Sequence, residues 1–244
     1  MNNPQYMSGT GNNFLVSEYE NSKTDIEIIS IVADSLFDID GVIYVEKIDS
    51  LTVKMHYYNN DGSTAELCVN GIRCVAKYAL DNSIVDSNEV TVVAPIGNIK
   101  TNIKENIVSI EVSTPTYEKN KLLIDGLECI KSNIGNPHLL VEVDNVDKFD
   151  LEQFVKKVYE TKEFEKGVNV EIFNLFDKKI INARVYERGV GETDACGSGA
   201  VCMFYYLYNT NQVNNNSLIL YPGGELEMSI EKEIVKLSGE VTYL

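Results

Sequence analysis

The sequence predicts an α/β protein of two similar halves, each a sheet wrapping its own buried helix. Three observations carry this. Strand, turn and helix follow one another twice in the same order. A Cys-x-x-Gly-x-x-Cys frame recurs, at Cys68 to Cys74 and at Cys196 to Cys202. The helix behind the second frame, Ala200 to Tyr208, is apolar nearly all round, which calls for burial between layers. At 244 residues and 44% apolar content, the chain has enough material for a packed core.

In the first half, Leu51, Val53, Met55 and Tyr57 alternate with Thr52, Lys54 and His56, the period of a half-buried strand, and the run ends at Asn59-Asn60-Asp61-Gly62. Ile72, Val75, Ala76, Ala79 and Leu80 then mark one apolar helical face, with Cys68 just ahead of its first turn. In the second half, Ala183 to Tyr186 reads as a strand, Gly189 to Gly199 as a glycine-rich loop, and Ala200 to Tyr208 as the helix. Further strands are legible at Val108, Ile110 and Val112 and at Leu226, Met228 and Ile230, and Cys129 reads as a strand residue. Asp150 to Lys157 reads as a surface helix with Leu151, Phe154 and Val155 as its stripe. Ser113-Thr114-Pro115-Thr116 looks like a junction, so the halves are expected at 1–115, carrying Cys68, and 116–244, carrying Cys196, with the last strand free to cross back.

Thirty-seven acidic against 21 basic residues give a formal charge of -16, which repels phosphate backbones and anionic lipid and argues against a nucleic-acid or membrane partner. No run of about 18 apolar residues is present, and Met1-Asn2-Asn3-Pro4-Gln5 lacks the regions of a signal peptide, so the expectation is a cytoplasmic protein. Five cysteines, an odd number in a chain of this size, are expected as thiols. There is no Cys-x-x-Cys pair, and His56 and His138 lie far from the cysteines in sequence, so no metal site is expected. No lysine or phosphate loop stands out for a pyridoxal cofactor, and none is expected.

The chemistry concentrates at the two cysteine frames. A helix N-terminus offers unpaired N–H groups and the positive end of a dipole, so it lowers a thiol's pKa and binds a carboxylate. Two such ends that converge would hold one carboxylate with a sulfur on either side of the adjacent carbon, the geometry for taking a proton from one face and delivering one to the other. Gly71, Gly197 and Gly199 suit backbone that approaches a ligand closely. A lone cysteine beside a glycine is ordinarily a small apolar residue in a tight turn; two matched copies favour the functional reading. Cys74 and Cys202, further into each helix, suit core packing, and nothing near Cys129 suggests activation.

Residues 59–74 and 187–199 closely resemble the motifs of diaminopimelate epimerase; Ser8-Gly9-Thr10-Gly11-Asn12-Asn13-Phe14 and Gly135-Asn136-Pro137-His138 agree as well, with weaker matches at 39–41 and 167–169. The resemblance implies an α/β (α+β) fold of two pseudo-symmetric domains, each a barrel-like sheet around a central helix. It implies cofactor-independent interconversion of LL- and meso-diaminopimelate, for lysine and peptidoglycan precursor synthesis, with Cys68 and Cys196 as thiolate base and thiol acid, in a homodimer. Carried over by motif, Asn12, Asn70, Gly197 and Ser198 hold the reacting amino-acid end, Gly71 is a further substrate-binding residue, and Asn59, Asn136, Asn169, Glu187 and Arg188 grip the distal end. Glu187 and Arg188 supply the two charges that a distant ammonium and carboxylate need. His138 is expected to brace its loop through a structural hydrogen bond, and Asp61 and Ser63 to order their turn. Two positions depart from the pattern: Val69 stands where the family usually has glycine, and Asn13 where it usually has aspartate. The alternatives are a racemase or epimerase of the same fold acting on histidine or lanthionine, a phenazine-biosynthesis-type isomerase, which would not need both thiols, and a non-catalytic amino-acid-binding protein.

Overall fold

A computed structural model describes residues 2–64 and 68–244; Ala65 to Leu67, inside the first cysteine motif, lie outside the described residues. The chain divides into two compact units, one running to Glu111 and including Ser238–Leu244, the other Val112–Leu237.

The first unit runs β1 (Asn2–Gly9), β2 (Asn12–Glu18), α1 (Asp25–Ala33), β3 (Gly41–Lys47), β4 (Thr52–Asn59), α2 (Val69–Asp81), β5 (Glu89–Ala94), β6 (Gly97–Lys104) and β7 (Ile107–Val112). Pairing alternates: β1 with β2 antiparallel, β2 with β3 parallel, β3 with β4 antiparallel, β4 with β5 parallel, then β5, β6 and β7 antiparallel. The chain's last strand, Ile234–Tyr243, pairs with both β1 and β7 and closes eight strands into a barrel. Closure leaves no exposed sheet edge and encloses α2, which packs on β1 through β6. Eleven consecutive residues of α2, Val69 to Ala79, are buried, at roughly 1.5–3 kcal/mol for each large apolar side chain. The polar ones among them carry internal partners; the Lys77 ammonium lies 2.7 Å from Asp81. Outside the barrel, α1 is started by a reciprocal cap between Thr24 and Glu27 and seats Ile28 on Leu15, Val42 and Tyr44.

The second unit repeats the plan. After β8 (Thr116–Tyr117) and β9 (Leu122–Ile124) come β10 (Leu127–Asn133), β11 (Pro137–Glu142), α3 (Leu151–Tyr159), β12 (Asn169–Leu175), β13 (Ile180–Glu187), β14 (Gly191–Thr193), α4 (Gly197–Asn209), β15 (Asn216–Tyr221), β16 (Gly224–Glu231) and β17, the closing strand named above. From β10 the pairing is again antiparallel, parallel, antiparallel, parallel and antiparallel through β11, β12, β13, β15 and β16. In both units one helix bridges the first parallel pair, α1 or α3, and another the second, α2 or α4. α3, capped by Asp150, lays Leu151, Phe154, Val155 and Val158 over β11 and β12. α4 is buried along Gly197 to Phe204 and packs on β8, β11, β12 and β16. The fold is α+β, two pseudo-symmetric units, each a sheet wrapped around a central helix.

One element differs from its sequence reading. The second central helix starts at Gly197, not Ala200, because the Cys196 side chain caps it and recruits Gly197 to Gly199 as its first turn.

Candidate active site

In the first unit the approach to Cys68 is a polar turn. Asp61 Oδ1 accepts from the Ser63 amide at 2.9 Å and hydroxyl at 2.6 Å, and these bonds hold its carboxyl below the usual carboxylate range. Asn59, at the end of β4, donates to the same hydroxyl at 2.9 Å. Cys68 is extended (φ -133°, ψ 93°) and its Sγ accepts from the Gly71 amide at 3.3 Å, so sulfur occupies the place where a helix usually puts an oxygen cap. The thiol is half-buried. Behind it, Asn70 Nδ2 donates to Asn12 Oδ1, and Asn70 Oδ1 accepts from Arg73 Nη2 at 2.7 Å. The fully buried Arg73 also donates to Thr10 Oγ1 at 2.9 Å and to the Glu240 carbonyl at 3.1 Å. Burial lowers its pKa to about 10, against the attraction of Cys74 and Cys68, so it stays a cation. Asn12 Nδ2 in turn reaches Asp40 Oδ2 at 3.3 Å. Val69 is the first residue of α2, buried, and not among the positive-φ residues, so its backbone does not require glycine.

In the second unit Cys196 is also extended (φ -129°, ψ 112°) and its Sγ accepts from the Gly199 amide at 3.4 Å. Its neighbours form a continuous chain. Ser198 Oγ lies 3.4 Å from Sγ; Asn136 Nδ2 donates to that hydroxyl at 3.4 Å; Asn136 Oδ1 faces His138 Nε2 at 3.1 Å; and His138 Nδ1 faces Glu171 Oε1 at 2.7 Å. His138 and Glu171 have no exposed side-chain surface. A Cβ on Gly199 would collide with that carboxylate, so this position admits only glycine without a shift of Glu171. Burial pushes the Cys196 thiol well up, and Glu187 and then Glu171 push it further, against the Ser198 and Gly199 hydrogen bonds. The sulfur therefore carries its proton at neutral pH. Tyr221 shares the enclosure; burial first, then Cys196, Glu171 and Glu187, hold its phenol well above the ordinary value, and its hydroxyl has no partner among the described residues.

The remaining residues singled out by sequence form a second group here. Asn169 Oδ1 accepts from the Arg188 amide at 2.8 Å, Glu187 Oε1 accepts from Thr193 Oγ1 at 2.7 Å, and the Arg188 stem lies against Gly167. The structure thus joins Asn12 with Asn70, Asn136 with Ser198 and Cys196, and Asn169 with Arg188.

Sequence reading missed Arg73 and Glu171. Glu171 did leave a signal: it is the one charged residue of β12, set between the apolar Val170 and Ile172. Arg73 stands at a helix position that an amphipathic reading sends to solvent, and only barrel closure shows that no such face exists.

His138, Glu171 and Cys196 are the one group among the described residues whose ligand-type atoms lie within 4.8 Å of one another. A metal would have to open the 2.7 Å His138–Glu171 bond, so the geometry is that of a hydrogen-bonded pair beside a thiol. No helix among the described residues is long and apolar enough to cross a membrane.

Comparison with known proteins places the protein in the epimerase and racemase class of isomerases, so it is an isomerase. The diaminopimelate epimerase family model matches residues 5–119 and 130–244. The diaminopimelate epimerase of Thermotoga maritima is 32% identical over 237 residues, 96% of each chain. The chain belongs to the diaminopimelate epimerase family. Among solved structures, a hydroxyproline epimerase from Agrobacterium vitis superposes with a TM-score of 0.75 at 11% identity, covering 99% of this chain and 90% of the other. A Bacillus anthracis protein of the PhzF phenazine-biosynthesis family gives 0.74 at 15% identity, covering 99% and 96%. These two likenesses show the shared fold.

Proposed function

We propose that the protein interconverts LL- and meso-diaminopimelate without a cofactor, as a step towards lysine and peptidoglycan precursors, with Cys68 and Cys196 acting on the same α-carbon. One sulfur, as thiolate, takes the α-proton while the other, as thiol, delivers a proton to the opposite face; the roles exchange when the reaction reverses. The observation that carries this reading is the matched pair of sulfur caps. Each thiol sits at the N-terminus of a buried helix, where backbone N–H groups also stand ready for a substrate carboxylate. The α-proton is a poor acid, so the negative charge that spreads onto the carboxylate as it leaves needs such fixed donors. Asn12, Asn70, Gly71, Gly197 and Ser198 serve this end of the substrate. Asn59, Asn136, Asn169, Glu187 and Arg188 serve the distal amino-acid group, the two charges pairing with its ammonium and carboxylate. The raised Cys196 thiol suits proton delivery, because a carbanion is basic enough to take a proton that water at neutral pH is not.

The test is incubation of the reduced protein with LL-diaminopimelate, with product resolved by chiral chromatography. Formation of the meso isomer supports the reading. No conversion, with histidine or lanthionine converted instead, would move the substrate assignment; no conversion of any of them would contradict the reading.

A further inference from the structure

Glu171 is a fully buried carboxylate that the reaction as proposed does not use. A glutamine would fill the same space and still bond His138, at much lower cost than a buried charge, whose effective desolvation runs to several kcal/mol. Packing therefore accounts for the side chain's shape and not for its charge. Its surroundings fix it on two sides and leave one oxygen open. Oε1 is tied to His138 Nδ1 at 2.7 Å, the absent Cβ of Gly199 leaves room for the carboxyl at the first turn of α4, and Oε2 has no hydrogen-bond partner among the described residues. A carboxylate oxygen stands within 4.8 Å of both the Cys196 sulfur and a His138 nitrogen.

Five titratable groups share the enclosure of this sulfur: His138 from β11, Glu171 from β12, Glu187 at the end of β13, Tyr221 at the end of β15, and Cys202 one turn and a half into α4, which interacts with Glu171 and Tyr221. Two of the five are carboxylates. Glu187 acts more strongly on the thiol and is half-buried, accepting from Thr193; Glu171 is closed to solvent, so water does not screen its charge.

We infer that Glu171 is a positioning residue for Cys196: its carboxylate, pinned by His138 and seated against Gly199, keeps the proton on this sulfur in the resting enzyme and makes the sulfur a stronger base once the proton has left. The inference rests on the reading that Cys196 exchanges protons with the substrate. In that step the Cys196 S–H bond breaks as the α C–H bond forms, leaving a thiolate beside a fixed negative charge. In the reverse direction the same charge drives the thiolate to take the proton back.

The experiment is the rate of Cys196 alkylation by iodoacetamide as a function of pH, read by peptide mass spectrometry in wild type, Glu171→Gln and Glu171→Asp, alongside the pH profile of epimerisation. Glu171→Gln is expected to alkylate about tenfold faster near pH 8 than wild type, one unit of thiol acidity, while Glu171→Asp, which keeps the charge, follows wild type. A folded Glu171→Gln with the wild-type alkylation profile would overturn the inference. If Glu171→Gln does not fold, thiolate absorbance of Cys196 in the full-length Cys68→Ala protein decides: no ionisation at about pH 8 is expected, and a midpoint at or below that pH overturns it. Alkylation needs no turnover, so a shifted profile without epimerisation of any amino acid would remove the two-thiol reading and leave the role of Glu171 in place.

Discussion

The two cysteine loops share their backbone and differ in the charge buried behind it. Cys68 and Cys196 adopt nearly the same φ and ψ, and each Sγ accepts from the amide three residues on, at 3.3 and 3.4 Å. Each is followed six residues later by a second buried cysteine, Cys74 or Cys202, whose thiol burial pushes up, to about 12 for Cys74. Behind Cys68, however, lies the cation Arg73, bonded to Asn70 and Thr10; beside Cys196 lies the anion Glu171, bonded to His138. The shared part sets where sulfur stands relative to a helix N-terminus. The differing part sets the charge beside each sulfur: a cation behind Cys68, and beside Cys196 a carboxylate that adds to burial and Glu187 in raising the thiol.

Removing either sulfur breaks the comparison outright. Cys68→Ala and Cys196→Ala are each expected to lower kcat by at least about a thousandfold, because the two groups act as one unit. Near-normal turnover in either variant would contradict the pairing. The alkylation order among the native thiols is the next largest effect. The half-buried Cys68 is expected to react at least about tenfold faster than the buried Cys196 near neutral pH; peptide mapping reads the order, and equal rates would sink it.

Smaller effects sharpen the contrast. Gly199→Ala sets a methyl against the fixed Glu171 carboxyl, whereas Gly71→Ala meets the flexible ends of Met55 at 2.9 Å and Ile43 at 3.0 Å. The first is expected to cost about 1–3 kcal/mol and the second less, by chemical denaturation; the reverse order would mean that Glu171 is not held as described. Val69→Gly, which restores the residue usual in the family, is expected to lower stability by about 2–4 kcal/mol, through the lost burial of the side chain together with helix entropy, with activity little changed.

Much of this was legible in the sequence, for identifiable reasons. The repeated Cys-x-x-Gly-x-x-Cys frame survives because cap, glycine and core cysteine each answer a local need, and local needs leave local patterns. The pairing of α1 with α3 was not legible. Leu151, Phe154, Val155 and Val158 make a clear stripe on α3, whereas α1 buries only Ile28 and leaves Ile26 and Ile29 exposed, so its periodicity is lost. The first turn of α4 hid for another reason: Gly197 and Gly199 read as loop, and their place in a helix follows only from a cysteine acting as the cap. His138 was expected to brace its loop through a hydrogen bond, and it stands between Asn136 and Glu171. Its partner Glu171 is 33 residues away and meets it only through the parallel β11 and β12 pairing, a contact no short motif records.

The central claim, two thiols that serve opposite faces of one carbon, is tested most directly by isotope placement. LL-diaminopimelate is incubated with the reduced protein in deuterium oxide, and substrate and product are separated at early conversion for mass spectrometry. With one sulfur removing a proton and the other delivering a deuteron, the meso product is expected to carry α-deuterium while recovered LL substrate remains protiated. Equal deuterium in product and recovered substrate would mean that a single group serves both faces, and would contradict the two-thiol mechanism.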